Sequence, residues 1–390
     1  MRSIFTLGAL MATFLSALHA NNPIIHYRHP APNQLPNDIS FCIADLKFDG
    51  KQIYVCEFGE GVESQFKGYD ALYHKGALWE RVWQVLGSYG MPMWLVENTY
   101  WQQHAVEFAY GALRTAGGQV ISDVRLLEAA PVTKKNIHQR GMRPNPSAPG
   151  IVIAHTLKRN AMSAKTFAAQ FPTLILLGRA TTRFVRSKEQ TNSLFTTPLT
   201  QHFKPKTVLI KKHYQPGLAE KILRELGTEL VVIKPTNSSI GHGVIIVPKR
   251  ELDATLRLIL QDQHAITLHH NGDRSYTYWI KDGSPSLIVE AFAPSKPLEA
   301  FGKLYDPTLR MAFVMSNLHG RMSLTYVGSY WKLPEKSLQE AGTMIEKHKS
   351  AITRNHACSY KVADEDFSAV AEQLNQLLPS LYEEMLQQSV

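Results

Sequence analysis

Two short runs of β-branched residues flank a polar loop in the segment Leu-Val-Val-Ile-Lys-Pro-Thr-Asn-Ser-Ser-Ile-Gly-His-Gly-Val-Ile-Ile-Val, residues 230–247. Valine and isoleucine suit buried strands, and Asn, Ser and Gly suit turns, so the segment predicts strand, loop, strand. Pro235 cannot continue a central strand, which puts Lys234 where the first strand ends. Gly241 and Gly243 let backbone N–H groups approach a ligand, Asn237, Ser238 and Ser239 add small donors, and Lys234 adds a positive charge. Two readings fit this segment: a clamp for phosphate, or a plain hairpin whose lysine points to solvent. It is not a P-loop, because no G-x-x-x-x-G-K-[ST] occurs and no helix N-terminus follows.

A chain of 390 residues with 44% hydrophobic content is expected to form two or three soluble domains with sizeable cores. Its formal charge of +9 favours an anionic ligand such as a nucleotide. No dense Lys/Arg block with interleaved aromatics marks a nucleic-acid face, so no nucleic-acid partner is expected. Cys42, Cys56 and Cys358 form no C-x-x-C, and His26-x-x-His29 is too short and isolated for a metal site. Met1-Arg-Ser followed by an apolar run over residues 4–18 has the layout of a secretory signal peptide. Residues 1–20 are expected to be that leader, with Ala20 before the cleavage point, although Leu18 fits poorly two positions earlier. The expected location is periplasmic or secreted, or cytoplasmic if the leader is not a genuine signal. No other segment resembles a membrane span.

After a Pro/Asn-rich lead-in over residues 21–37, residues 41–58 predict a hairpin turning at Phe48-Asp49-Gly50. Helical patterning follows over residues 71–86. Between residues 92 and 186, apolar runs at 92–97, 118–124, 150–155 and 173–178 alternate with helix-like stretches at 102–116 and 163–170. That alternation predicts βαβ units around a parallel sheet, with residues 134–149 as a loop. Further helices are predicted at 191–200, 217–226, 249–263, 335–349 and 363–386, and strands at 203–212, 275–281, 285–292, 308–317 and 322–333.

Three stretches carry a more specific likeness: Arg186-Ser-Lys188-Glu-Gln-Thr, then Ile233-Lys234-Pro235 with its small-residue loop, then Leu287-Ile-Val-Glu290-Ala-Phe292. In this order they resemble the ATP-grasp superfamily, carboxylate–amine ligases of the glutathione synthetase kind. The resemblance implies an α/β and α+β architecture: two α+β subdomains clamping ATP, preceded by a Rossmann-like α/β domain. It implies phosphate contacts from Lys188 and Lys234, with Asn237, Ser238, Ser239, Gly241 and Gly243 folding over the phosphates. Val289, Glu290 and Phe292 would present backbone to the adenine, and Arg310 in Asp306-Pro-Thr-Leu-Arg310 would neutralise the transferred phosphoryl group. The implied layout is a completing hairpin at 41–62, the preceding α/β domain at 63–186 and the ATP-grasp domain at 187–390, with its nucleotide clamp at 187–247 and C-terminal part at 248–390.

Members of that superfamily take magnesium on their last strands, with an Asp, a turn and then Glu-x-Asn. This chain ends in the predicted helix at 363–386 before any such strands, whereas Asp45 and Glu57-Phe-Gly59 in the N-terminal hairpin have the look of that metal-binding pair. The resemblance therefore implies a circular permutation, with Glu57 and Asp45 as Mg²⁺ ligands; Gly59 departs from the family asparagine, and Glu60 is a substitute. A three-residue turn, Phe48-Asp49-Gly50, would face Lys47 to Lys51 and point Asp45 and Glu57 the same way. A two-residue turn would put them on opposite faces. The first register also sets Cys42 opposite Cys56, as a disulfide or as two buried thiols. The implied reaction is ATP- and Mg-dependent amide formation through an acyl phosphate, from a carboxylate and an amine. The alternatives are a small-molecule kinase and an exported nucleotide-binding or effector-like protein without ligase turnover.

Overall fold

The computed structural model describes residues 24–30, 35–60, 63–96, 119–121, 149–153, 163–238, 241–270, 272–350 and 358–389. The leader, the helical pattern at 102–116, nearly all of the loop at 134–149 and Ser239 lie outside the described residues. The chain is a mixed α/β protein with several sheets. No helix of the described residues is long and apolar enough to cross a membrane.

Residues 230–247 form the predicted strand, loop and strand. Strands β9 (Leu230–Pro235) and β10 (Ile245–Pro248) pair antiparallel with Ile233 opposite Ile245. With β11 (Ser286–Ala291) and β8 (Thr207–Lys211) they make a four-stranded antiparallel sheet in the order β10-β9-β11-β8. The helices Leu218–Leu226, Leu252–Leu260, Gln263–His269 and Arg274–Lys281 share one core with it through Ile222, Leu256, Ile266 and Trp279.

The last of these helices corrects a prediction. Residues 275–281 read as a strand because they are rich in aromatic residues. In the fold, the Asp273 carboxylate accepts the Ser275 N–H at 2.8 Å and starts a helix, whose Trp279 indole donates to Gly243 O at 3.0 Å. Capping and one buried tryptophan outweigh β-propensity there. Similarly, the helix expected over 249–263 ends at Leu260 and restarts after Asp262, whose side chain accepts from Ala265 N. Of the helix expected over 335–349, only Met344–His348 forms.

The second antiparallel sheet joins chain segments far apart in sequence. Its order is β1 (Ile25–Pro30), β15 (Arg321–Lys332), β14 (Thr308–Leu318), β2 (Asp38–Phe48) and β3 (Ile53–Gly59), with β16 (Ser359–Tyr360) also on β15. Part of the Pro/Asn-rich lead-in is therefore a strand, paired along β15 from Ile25 opposite Tyr326 to Pro30 opposite Arg321. Strand β2 is buried on both faces, and Asp38, Ser40 and Lys47 are buried in it alongside its apolar residues. Cys42, Ala44 and Leu46 pack with the long helix Asp364–Gln387, while Ile39, Phe41 and Ile43 pack with Phe66, Trp79 and Trp83. The helical pattern predicted over 71–86 is two helices, Glu63–Leu72 and Ala77–Ser88, with Gly76 at φ 86° before the second.

The alternation between residues 92 and 186 yields a parallel sheet, as predicted: β5 (Gln119–Ile121), β4 (Met93–Val96), β6 (Gly150–Ile153) and β7 (Leu174–Leu176), in that order. A small hairpin, β12 (Leu298–Ala300) with β13 (Lys303–Tyr305), completes the strands.

The β2–β3 turn has neither expected length. It spans four residues, with Asp49 N donating to Gln52 O at 3.2 Å and the Asp49 carboxylate accepting from Lys51 N and Gln52 N. Pairing runs from Phe48 opposite Ile53 to Leu46 opposite Val55, and then a bulge brings Asp45 opposite Glu57. The extra residue on β3 is Cys56. Because Ile43 then pairs with Gly59, Cys42 is carried past Cys56, and both thiols are free.

Candidate active site

A cavity of about 310 Å³ opens between the two antiparallel sheets. Lys188, Lys234, Asn237, Ser238, Gly241 and Phe292 line it from one side, and Glu57, Gly59 and Arg310 from the other. Pro205, Val232, Val244, Ile246 and Ala291 give it an apolar wall.

Lys188 opens the helix Lys188–Ser193, which Ser187 caps by accepting from Gln190 N at 3.3 Å. Its backbone N donates to Thr236 O at 2.9 Å, and its ammonium donates to Ser238 O and lies 3.6 Å from the Glu57 carboxylate. The first predicted lysine thus holds the second lysine's loop. Lys234, at the end of β9, pairs with the Glu290 carboxylate. Lys204 reaches the other Glu290 oxygen at 2.9 Å and donates to Val55 O at 3.0 Å. Burial favours the neutral acid at Glu290, but Lys204 and Lys234 outweigh it and hold its pKa below the usual carboxylate range. Sequence reasoning missed Lys204, since nothing in Phe-Lys-Pro-Lys separates it from a solvated lysine.

Three of the predicted nucleotide-binding residues have their groups committed to the fold. Val289 is fully buried in the core of the first sheet. Ala291 N and Phe292 N donate to Lys206 O and Leu230 O, and the Phe292 ring packs edge-on to His348 at 4.9 Å between centroids. Gly243 has φ 72°; its N–H donates to Arg274 O at 3.1 Å and its C=O accepts from Trp279. A Cβ there would stand 2.4 Å from the Pro235 ring and 2.8 Å from Tyr278. Gly243 is a packing glycine, and Gly243→Ala is expected to cost about 1–3 kcal/mol in urea unfolding, through overpacking and an unfavourable backbone angle. An unchanged urea midpoint would contradict that assignment.

The sharpest correction concerns Asp45. Arg310 grips it along one edge of the guanidinium, Nε to Oδ1 at 2.7 Å and Nη2 to Oδ2 at 2.8 Å, and Lys332 adds a third contact at 2.9 Å. Burial alone would raise its pKa, but Arg310 and Lys332 hold it well below the usual carboxylate range. Both of its oxygens are spent on cations, so Asp45 is not a metal ligand in this arrangement. Arg310 is equally committed, with Nη1 on the Tyr330 hydroxyl at 3.1 Å. Asp306 is also structural: it binds Lys47 at 2.9 Å, His348 at 2.8 Å and Ser295 N at 2.7 Å.

Among the described residues, no group of three or more His, Cys, Asp or Glu side chains is arranged to hold a metal. Glu60 is paired with Arg186 at 2.9 Å, while Glu57, about one-third exposed in the cavity, has the Lys188 ammonium at 3.6 Å. A side chain at position 59 would have to displace the Gln65 amide: a Cβ on Gly59 would lie 1.9 Å from Gln65 Nε2. The Gln65 amide, on the helix Glu63–Leu72, takes up that space.

No protein-family model matches the chain, and no curated protein matches it. Among solved structures, it is similar to a provisionally named gamma-glutamylcysteine synthetase from Methylobacillus flagellatus KT, at 13% identity over 98% of this chain and 94% of that one, with a TM-score of 0.44. It is also similar to D-alanyl-alanine synthetase A from Vibrio cholerae, at 13% identity over 57% of each chain, with a TM-score of 0.25.

Proposed function

We propose that the protein is an ATP-dependent carboxylate–amine ligase of the ATP-grasp type. The observation that carries this reading is convergence. Lys188, Lys234 with its loop, Arg310 and Glu57, from four separated stretches of sequence, line one cavity between two α+β units. Basic side chains outnumber carboxylates seven to four on its lining, an excess suited to a nucleotide triphosphate and a carboxylate bound together.

In the proposed reaction the substrate carboxylate attacks the γ-phosphorus, ADP leaves, and an amine displaces phosphate from the acyl phosphate to give an amide. Catalysis of this kind consists of positioning and of neutralising charge. Lys188 and Lys234 neutralise phosphate oxygens, and the apolar wall excludes water from the base. Arg310 reaches the transferred group only by loosening its grip on Asp45. Magnesium commonly keeps several waters and takes one or two carboxylates besides substrate phosphates, so Glu57 fits as its protein ligand without Asp45. When bound, the ion would offset charge on the phosphates. The circular permutation belongs to the same proposal, and the β2–β3 pairing alongside β14 supports it.

The locked Asp45–Arg310 pair favours a second reading, nucleotide binding without turnover. The test is a thermal-shift titration with Mg-ATP, followed by ADP release over amino acids, short peptides and polyamines with carboxylic acid co-substrates. A raised melting temperature together with ADP release from at least one mixture is expected. A shift without ADP release would select the binding reading, and no shift under saturating nucleotide would sink both.

A further inference from the structure

The segment after β15 lines the cavity with His348, Lys349 and Ser350 and is tied to both halves of it. On the second sheet, His348 bonds Asp306 at 2.8 Å, and the Ser350 hydroxyl lies 2.9 Å from both Thr308 Oγ1 and Lys332 O. On the first, Ile345 packs against the core. Between these anchors the Lys349 side chain lies along the glycine loop, its Cε 2.9 Å from where a Cβ on Gly241 would stand, and its Nζ donates to Ser275 Oγ at 3.0 Å.

The cations lining the cavity are otherwise paired: Lys47 with Asp306, Arg186 with Glu60, Lys188 with Glu57, Lys234 with Glu290, and Arg310 and Lys332 with Asp45. Lys349 forms no ion pair with any carboxylate of the described residues. This ammonium is drawn partly out of water beside the glycine loop and, among the described residues, has a neutral hydroxyl and no carboxylate as its direct partner, an environment that favours an added anion.

We propose that Lys349 is a phosphate-binding residue of the cavity, its ammonium taking an oxygen of the triphosphate beside Gly241. This rests on the nucleotide reading above and adds to it a residue outside every motif of the sequence. Burial also pushes the Lys349 ammonium down to about 8, against the pull of Asp273. A bound phosphate would raise it again, so affinity gained from Lys349 is lost as pH rises through about 8. The groups around Lys349 are Ser275, Asp273 and His242; burial, with Arg274 and Lys349 nearby, lowers the His242 pKa below its ordinary value.

The test uses the full chain, with binding of Mg-ATP, adenosine and inorganic tripolyphosphate measured by calorimetry for wild type, Lys349→Met and Lys349→Arg over roughly pH 7.5 to 9.5. Lys349→Met is expected to weaken Mg-ATP about 10-fold or more, as loss of one hydrogen bond to a charged group implies, while adenosine affinity holds and Lys349→Arg keeps most of the affinity. The wild type alone should show the Lys349 component of the fall in Mg-ATP affinity with pH, since Lys349→Met retains every other titrating neighbour. Equal Mg-ATP affinity for wild type and Lys349→Met, or parallel loss of adenosine and ATP, would overturn the assignment while leaving the nucleotide reading intact. Tripolyphosphate binding that depends on Lys349, with no ATP binding, would keep the anion site and discard the nucleotide. Binding of none of the three by wild type overturns both.

Discussion

Lys234→Met is expected to abolish the Mg-ATP thermal shift while leaving a folded protein. The substitution removes the ammonium at the end of β9, but Glu290 keeps Lys204 at 2.9 Å as a counter-ion, so no carboxylate is stranded. Ligand stabilisation follows the ratio of concentration to Kd and amounts to about 2.7 kcal/mol at one hundred times Kd. A variant that loses two orders of magnitude in affinity therefore loses nearly all of the shift at that concentration. Differential scanning fluorimetry with and without Mg-ATP reads this directly. Retention of the full shift would remove Lys234 from the site, and with it the clamp reading of residues 230–247. The opposite half of the pair behaves differently: Glu290→Ala strands two buried ammonium groups instead of one half-compensated carboxylate.

The second large effect is on stability. Asp45→Asn leaves Arg310 and Lys332 facing one another without the carboxylate that both contact. Breaking a buried ion pair from one side typically costs about 3–5 kcal/mol, because the uncompensated charge stays out of water. Urea unfolding near neutral pH measures it, and a stability equal to wild type would show that the cluster contributes nothing. The pH dependence has a definite sign. Asp45 has its folded pKa depressed below the unfolded value of about 4, so its contribution is fully present above that pH and disappears as pH falls toward the folded value. The gap between wild type and Asp45→Asn should therefore narrow in acid. Asp45→Asn with Lys332→Met should recover part of the loss, since the two sites share one carboxylate and are not additive.

Much of the site was legible because its chemistry lies in local patterns. The β-branched runs around Lys234 became β9 and β10, and the apolar alternation between residues 92 and 186 became a parallel sheet. Glu57 was singled out from one hairpin and lies with Lys188 and Lys234 on the same cavity. Gly243 was read as a ligand glycine because a Gly-x-Gly loop looks the same whether its backbone faces a phosphate or Trp279. Lys204, Gln65 and Lys349 left no signal, since an isolated lysine or glutamine acquires its role only from what is folded against it.

The sequence by itself determined the periodicity of the strands, the position of the glycine loop and the kinds of charge available, because these depend on neighbours a few residues apart. The partners of those charges were decided by tertiary structure alone. Asp45 meets Arg310 across 265 residues, through the unbroken antiparallel pairing of β2 with β14 that sets the two directly opposite each other. A shift of one residue in β-pairing reverses which face a carboxylate presents. Whether Asp45 holds a metal or neutralises an arginine therefore depends on the assembled sheet.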